Sequence, residues 1–198
     1  MRYRPEHKEE SRRKVLAAAA RAIRAQGPDG VSVAAVMGEA GLTHGGFYAH
    51  FPSKSALIAQ SIDFMFEEMA ARLDEVMRGK PPREALAAYI DSYLSGRHCE
   101  MRDAGCPVAA LGSEVPRLDA PAREAFARGM ARRQQRLAGL LAAMGVADAD
   151  ASREARSMQS ELLGALVSSR LVEDADSAAI LDISRRALHA RYKLDGAN

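Results

Sequence analysis

The chain has 198 residues, 47% of them hydrophobic and 27% charged, with a formal net charge of +2, a balance that excludes wholesale disorder. Its two cysteines, Cys99 and Cys106, are too few for a disulfide framework. No apolar run reaches the roughly 18 residues of a membrane span, and residues 1–10 lack the apolar core of a signal peptide, so a soluble cytoplasmic protein is expected.

Abundant Ala and sparse β-branched residues favour helix, and the chain reads as one helix after another. Residues 6–26 carry Val15, Leu16, Ala19, Ala22 and Ile23 at helical spacing. Gly27-Pro28-Asp29-Gly30 stops that helix. Ser32 caps a short helix over 33–40, closed by Gly41. Thr43 caps a third short helix over 44–50, broken by Pro52-Ser53. A long helix then runs from 53 or 54 through Ile58, Ile62, Met65, Phe66, Met69 and Leu73 to the Gly79-Lys80-Pro81-Pro82 break. Another spans 83–96, and 98–105 reads as irregular. Pro107 suits the first turn of a helix ending near Val115-Pro116. An Arg-rich helix over 120–144 stops at Gly145, and helices over 148–172 and 177–193 complete the chain. No strand alternation, internal repeat or low-complexity linker is present. The expected fold is all-α, with about nine helices.

Charge is unevenly placed. Residues 1–60 hold nine Lys/Arg against five Asp/Glu, and the remainder is slightly acidic. A basic end suits nucleic acid or an anionic membrane surface. Within it, two short helices meet with only Gly41-Leu42 between them, the spacing of a helix-turn-helix. Ala35, Val36, Ala40, Leu42, Phe47 and Phe51 hold the pair together, and Gly41 supplies the positive φ of the turn. The second helix would enter the major groove by its N-terminal residues. It contains Gly45-Gly46, each costing roughly 1 kcal/mol relative to Ala inside a helix, which points to something approaching the backbone closely. His44 suits a base edge. Thr43, Tyr48 and His50 suit phosphate, as do Ser32 and Lys54 at helix N-termini. Arg2, Arg4 and Lys8 form a basic arm. Each residue also has a plainer reading, Gly45-Gly46 as a loop, Tyr48 as half-buried core, His50 and Lys54 as solvated surface.

Val31-Ser32-Val33, Ala40-Gly41-Leu42-Thr43, Gly46-Phe47-Tyr48-Ala49-His50-Phe51, Ser53-Lys54 and Leu57 form an ordered pattern. Over residues 9–58 it resembles the DNA-binding domain of the TetR (tetracycline repressor) family of bacterial transcriptional regulators. The resemblance implies a DNA-binding domain over 1–53 and a ligand-binding and dimerisation domain over 54–198. It implies a homodimer on a palindromic, double-stranded operator, released by a small-molecule effector; no cofactor or metal is expected, because His98, Cys99, Glu100 and Cys106, the one weighable metal set, lack a recognised ligand spacing. The last two helices would pair with their mates in a four-helix bundle, through Leu162, Leu163, Leu166, Ile180, Ile183 and Leu188. Met65, Met69, Tyr89, Tyr93, Cys106, Phe126, Met130 and Met158, with Met101, lie on segments that the family plan places around the effector.

Cys106 precedes Pro107 at the start of a helix, a place that favours thiolate and suggests an electrophile- or oxidant-sensing regulator as an alternative; a small buried hydrophobe is the plainer reading. A Cys-dependent enzyme is the rival class, with His98 and Cys106 as its best pair but no orienting third group. A helical adaptor would leave the 32–54 pattern unexplained.

Overall fold

The computed structural model describes residues 5–194. Nine α-helices follow in order: α1 (Pro5–Gln26), α2 (Val33–Glu39), α3 (Lys54–Met77), α4 (Pro82–Tyr93), α5 (Gly96–Glu100), α6 (Pro107–Leu111), α7 (Ala120–Ala143), α8 (Asp148–Ser169) and α9 (Asp174–Tyr192). Two 3₁₀ segments, His44–Ala49 and Val115–Arg117, complete them, and no strand occurs among the described residues. The all-α expectation holds. Arg2 and Arg4 of the basic arm lie outside the described residues, and Lys8 falls within α1.

Three elements differ from expectation. The expected helix over 44–50 is a 3₁₀ segment, because its tandem glycines do not favour α-helix. The helix expected to reach 96 ends at Tyr93, and α5 occupies part of the stretch read as irregular. Ser95 starts α5 by accepting the His98 N–H at 3.1 Å. The helix after Pro107 is five residues long, since Gly112 and Pro116 interrupt it.

The chain divides into two compact units. One runs to Glu68 and takes in Arg102–Gly129; the other is Met69–Met101 with the chain from Met130 onward. In the first, α1 packs on α2 and α6, and α2 on the 3₁₀ segment. Val15, Ile23, Met37, Phe51, Leu57 and Ile62 are fully enclosed there. The buried Arg24 guanidinium donates to the Asp103 carbonyl at 3.4 Å and to Glu68 at 3.5 Å, tying α1 to α3 and to the segment before α6.

In the second unit α8 and α9 pack together and α4 lies against both. This packing corrects the expected dimer surface. Leu162, Leu166 and Leu188 are 0% exposed within the single chain, so they belong to its own core. Leu163 and Ile180 are half-buried and Ile183 is exposed. Among the described residues, no helix is long and apolar enough to cross a membrane.

Candidate nucleic-acid interface and effector cavity

Residues 32–54 form a helix-turn-helix whose geometry follows from its caps. Ser32 accepts the Ala35 N–H on its Oγ at 3.3 Å and starts α2. At the other end Leu42 N–H donates to Met37 O at 2.9 Å and Gly41 N–H to Gly38 O at 3.0 Å. Gly41 takes φ 74° between them, the left-handed conformation that turns the chain sharply after a helix. Thr43 is extended, and Gly46 N–H reaches its carbonyl at 3.0 Å, opening the 3₁₀ segment.

Phe47 and Phe51 face the core of this unit, stacked with centroids 5.8 Å apart. Tyr48, between them in sequence, is 74% exposed, an aromatic ring held in water by its neighbours' burial. Thr43, His44 and Gly45 are exposed. A cavity of about 360 Å³ brings Thr43, Gly46 and His50 together with Lys8 and Ser11 of α1. His50 is held below the usual histidine range by burial and by the charges of Lys8 and Arg12. Ser53 Oγ accepts the Ala56 N–H and starts α3. Lys54 Nζ donates to the Asp29 carbonyl at 3.2 Å, which leaves two of its three donors for another acceptor. Lys8 and Ser11 were not among the expected contacts beyond Lys8's place in the arm; their spacing on α1 gives no local signal.

A glycine at 45 or 46 is not required by the chain itself. A Cβ at Gly45 would meet nothing within 4 Å, and one at Gly46 only ordinary contacts at 3.7 and 3.8 Å.

The second unit holds a separate cavity of about 250 Å³. Of the expected effector residues, Met69, Tyr93 and Met101 line it. Tyr89 is buried and stacked on Tyr93 at 6.4 Å; Met158 is buried and Met130 half-buried. Met65, Cys106 and Phe126 are core side chains of the first unit, Phe126 standing edge-on to Phe66 at 5.3 Å.

Sequence reasoning missed the polar frame of this cavity. Arg133 donates from Nε to the Tyr89 hydroxyl at 2.9 Å and lies 4.5 Å over the Tyr93 ring. Arg170 donates to the carbonyls of Cys99, His98 and Met101, satisfying the end of α5. His98, from α5, donates through Nδ1 to the Tyr93 carbonyl at 2.7 Å and stands edge-on to the Tyr93 ring. Burial pushes its pKa from the ordinary 6.5 down to about 4; the Tyr93 hydrogen bond opposes this, and Arg170, Arg72 and Arg133 add to it.

That shift has a stability consequence. The unfolded chain takes up the His98 proton near pH 6.5, the folded chain only near pH 4. The stability this residue contributes is therefore complete above pH 6.5 and is lost as pH falls toward 4. Urea unfolding of the parent should lose about 3 kcal/mol more than a His98→Gln variant between pH 7 and pH 4. Parallel pH curves for the two proteins would show that His98 is not held neutral.

The cysteines differ in access. Cys106 is 1% exposed at the head of a five-residue helix, whereas Cys99 is half-buried, its Sγ 3.2 Å from Ser169 Oγ. Cys106 therefore fits the plainer reading of a small buried hydrophobe, and maleimide should label Cys99 first, as peptide mass mapping would show. Faster labelling of Cys106 would restore it as a sensor. His98 commits one ring nitrogen to Tyr93 and lies in the other unit from Cys106. Among the described residues, no group of three or more His, Cys, Asp or Glu is placed to hold a metal ion.

Residues 15–60 match the family model for bacterial regulatory proteins of the tetR family. Residues 82–185 match that for the C-terminal domain of LmrA/YxaF-like transcriptional regulators. The chain is 30% identical to the HTH-type transcriptional regulator LmrA of Bacillus subtilis over 59% of its own length and 63% of that protein's, so it spans less than two thirds of this relative. Among solved structures, a TetR-family regulator from Agrobacterium tumefaciens is similar at TM-score 0.75 and 24% identity, covering 93% of this chain and 98% of that one. A TetR regulator from Chloroflexus aurantiacus reaches TM-score 0.79 at 22% identity, over 95% and 96%.

Proposed function

The chain belongs to the TetR family of bacterial regulatory proteins, a family of transcriptional regulators and not of enzymes, and from that membership we propose that it is a cytoplasmic, homodimeric repressor. It binds a palindromic operator through residues 1–53 and releases it when a small molecule enters the 54–198 portion. Ser32, Thr43, His44, Gly45, Gly46, Tyr48, His50 and Lys54 are its DNA contacts. Thr43, Tyr48, His50 and Lys54 position the protein on phosphate, and His44 reads a base edge.

The observation that carries this reading is the pairing of an exposed Tyr48 with open space at Gly45. The chain keeps a large aromatic out of its core and a glycine where none is needed for folding. Both make sense against a surface that comes from outside, and a DNA groove is the surface a helix-turn-helix presents itself to. Lys8, Ser11 and the cavity beside them extend that face along the backbone of the same site.

Electrophoretic mobility shift on the DNA upstream of its own coding sequence, with and without metabolite extract, tests the proposal. A shifted band that the extract abolishes supports it. A chain that shifts upstream and unrelated DNA equally, with no response to extract, would overturn it.

A further inference from the structure

A helix-turn-helix meets DNA through its own two helices, yet the cavity of about 360 Å³ beside this one is walled on one side by α1. Lys8 and Ser11 line it, and their spacing of three places them on one face of that helix. The facing wall belongs to the 3₁₀ segment. With three residues per turn, such a segment stacks Thr43, Gly46 and Ala49 on one side, and all three line the cavity. A Cβ at Gly46 would stand 3.7 Å from Thr43 Oγ1 and 3.8 Å from Met37 Cε, two further members of the wall. Glycine at 46 therefore keeps this space open.

The rim is cationic and supplies donors. Lys8 is exposed, and its acidic neighbours are engaged with other partners, Glu9 with Arg12 at 3.7 Å and Glu10 with Lys14 at 2.9 Å. Among the described residues no acidic side chain lines the cavity. Ser11 and Thr43 each bring a hydroxyl that can donate one hydrogen bond. His50, held below the ordinary histidine range by burial and then by Lys8 and Arg12, registers the positive potential. These groups call for an anion. The space far exceeds a bare phosphate, and Met37, Leu42 and Ala49 wall the surplus. An inorganic ion would leave those apolar side chains facing water, whereas a DNA strand brings an apolar sugar beside each phosphate.

We infer that this cavity seats one sugar–phosphate unit of the operator strand, with Lys8 and Ser11 of α1 as phosphate contacts facing Thr43. The inference rests on the reading of residues 1–53 as the DNA-binding portion. It makes α1 a binding element as well as a support, and it extends the footprint by one phosphate per protomer.

Fluorescence anisotropy of the full chain over a range of salt, on a duplex that the parent selects from a random pool, tests this. Lys8→Ala should weaken binding about threefold or more and reduce the slope of log affinity against log salt by about 0.9 per protomer. Lys8→Arg should restore both. Ser11→Ala should weaken binding about threefold with the slope unchanged, because a hydroxyl carries no charge. Replacing the phosphates one at a time by neutral methylphosphonate then locates the seat. At one position per half-site the parent should fall to the level of Lys8→Ala, and the variant should lose nothing further. An unchanged salt slope in Lys8→Ala, or a Lys8→Ala effect that persists at every substituted phosphate, would overturn the proposal. Exchanging chloride for inorganic phosphate at constant ionic strength should leave the DNA bound. Displacement of DNA from the parent but not from Lys8→Ala would assign the cavity to a free anion and overturn the proposal as well. Lys8 is exposed, so its replacement leaves the core untouched. A parent that binds no duplex would remove the DNA-binding reading and this proposal together, whereas a parent that binds and a Lys8→Ala variant that matches it would remove the proposal alone.

Discussion

Gly45→Ala is expected to fold at least as stably as the parent and to bind operator DNA about tenfold or more weakly. The two effects have opposite signs because they arise on different sides of the same atom. Within the chain a Cβ at position 45 enters open space, and the backbone there has no positive φ for alanine to strain. Replacing glycine at such a site restricts the unfolded chain and raises stability by about 0.4–1 kcal/mol. In the proposed complex the same methyl stands at the N-terminal part of the segment facing the groove, where the backbone comes close to a base pair or phosphate. Thermal unfolding and fluorescence anisotropy on one preparation measure both. A variant that is more stable and binds DNA as the parent does would move the groove contact elsewhere. Lys54→Ala serves as the comparison. It removes the proposed phosphate contact, so it should weaken specific and random DNA alike and reduce the dependence of affinity on salt.

The second large effect is expected at Ile183. This side chain is 68% exposed on α9, and Leu171 and Val172, just beyond α8, are 78% and 43% exposed. We propose that these exposed large apolar side chains of the second unit are covered by a second copy. Ile183→Glu should convert a dimer to a monomer in light scattering while leaving the helical content unchanged. DNA affinity should then fall by on the order of 10²-fold or more, because two linked reading heads bind a palindrome far more tightly than one. A dimer of normal affinity in Ile183→Glu would place the interface on another face. Leu166→Glu is not an equivalent test. Leu166 is fully buried within the chain, so charge there disrupts the fold before it reaches any partner.

Much of the reading head was legible because its signals are local. Ser32, Gly41 and Ser53 each act on backbone groups within five residues, and each takes its expected place in a cap or a turn. Phe47 and Phe51 are buried as their spacing implied. The 3₁₀ segment was read as α-helix because the pattern of caps is the same for both, and only the glycine pair distinguishes them. The cavity of the second unit was less legible. Met69 and Tyr93 follow from residue type and from the family plan, but the frame around them depends on Arg133 and Arg170 reaching across 44 and about 70 residues of sequence. α5, which delivers His98, has five residues and no room for a periodic signal. Leu162, Leu166 and Leu188 read as an interface because an apolar stripe looks the same whether it meets its own chain or another; packing of α8 on α9 decides between them.

The central claim is that this chain reads a specific DNA sequence through residues 32–54. Selection of bound sequences from a random double-stranded pool, using the purified full chain, addresses it most directly. The expected result is one enriched inverted repeat, with half-site centres about 34–36 Å apart along the duplex, that Gly45→Ala binds poorly. A folded, dimeric preparation that enriches no sequence at all would contradict it.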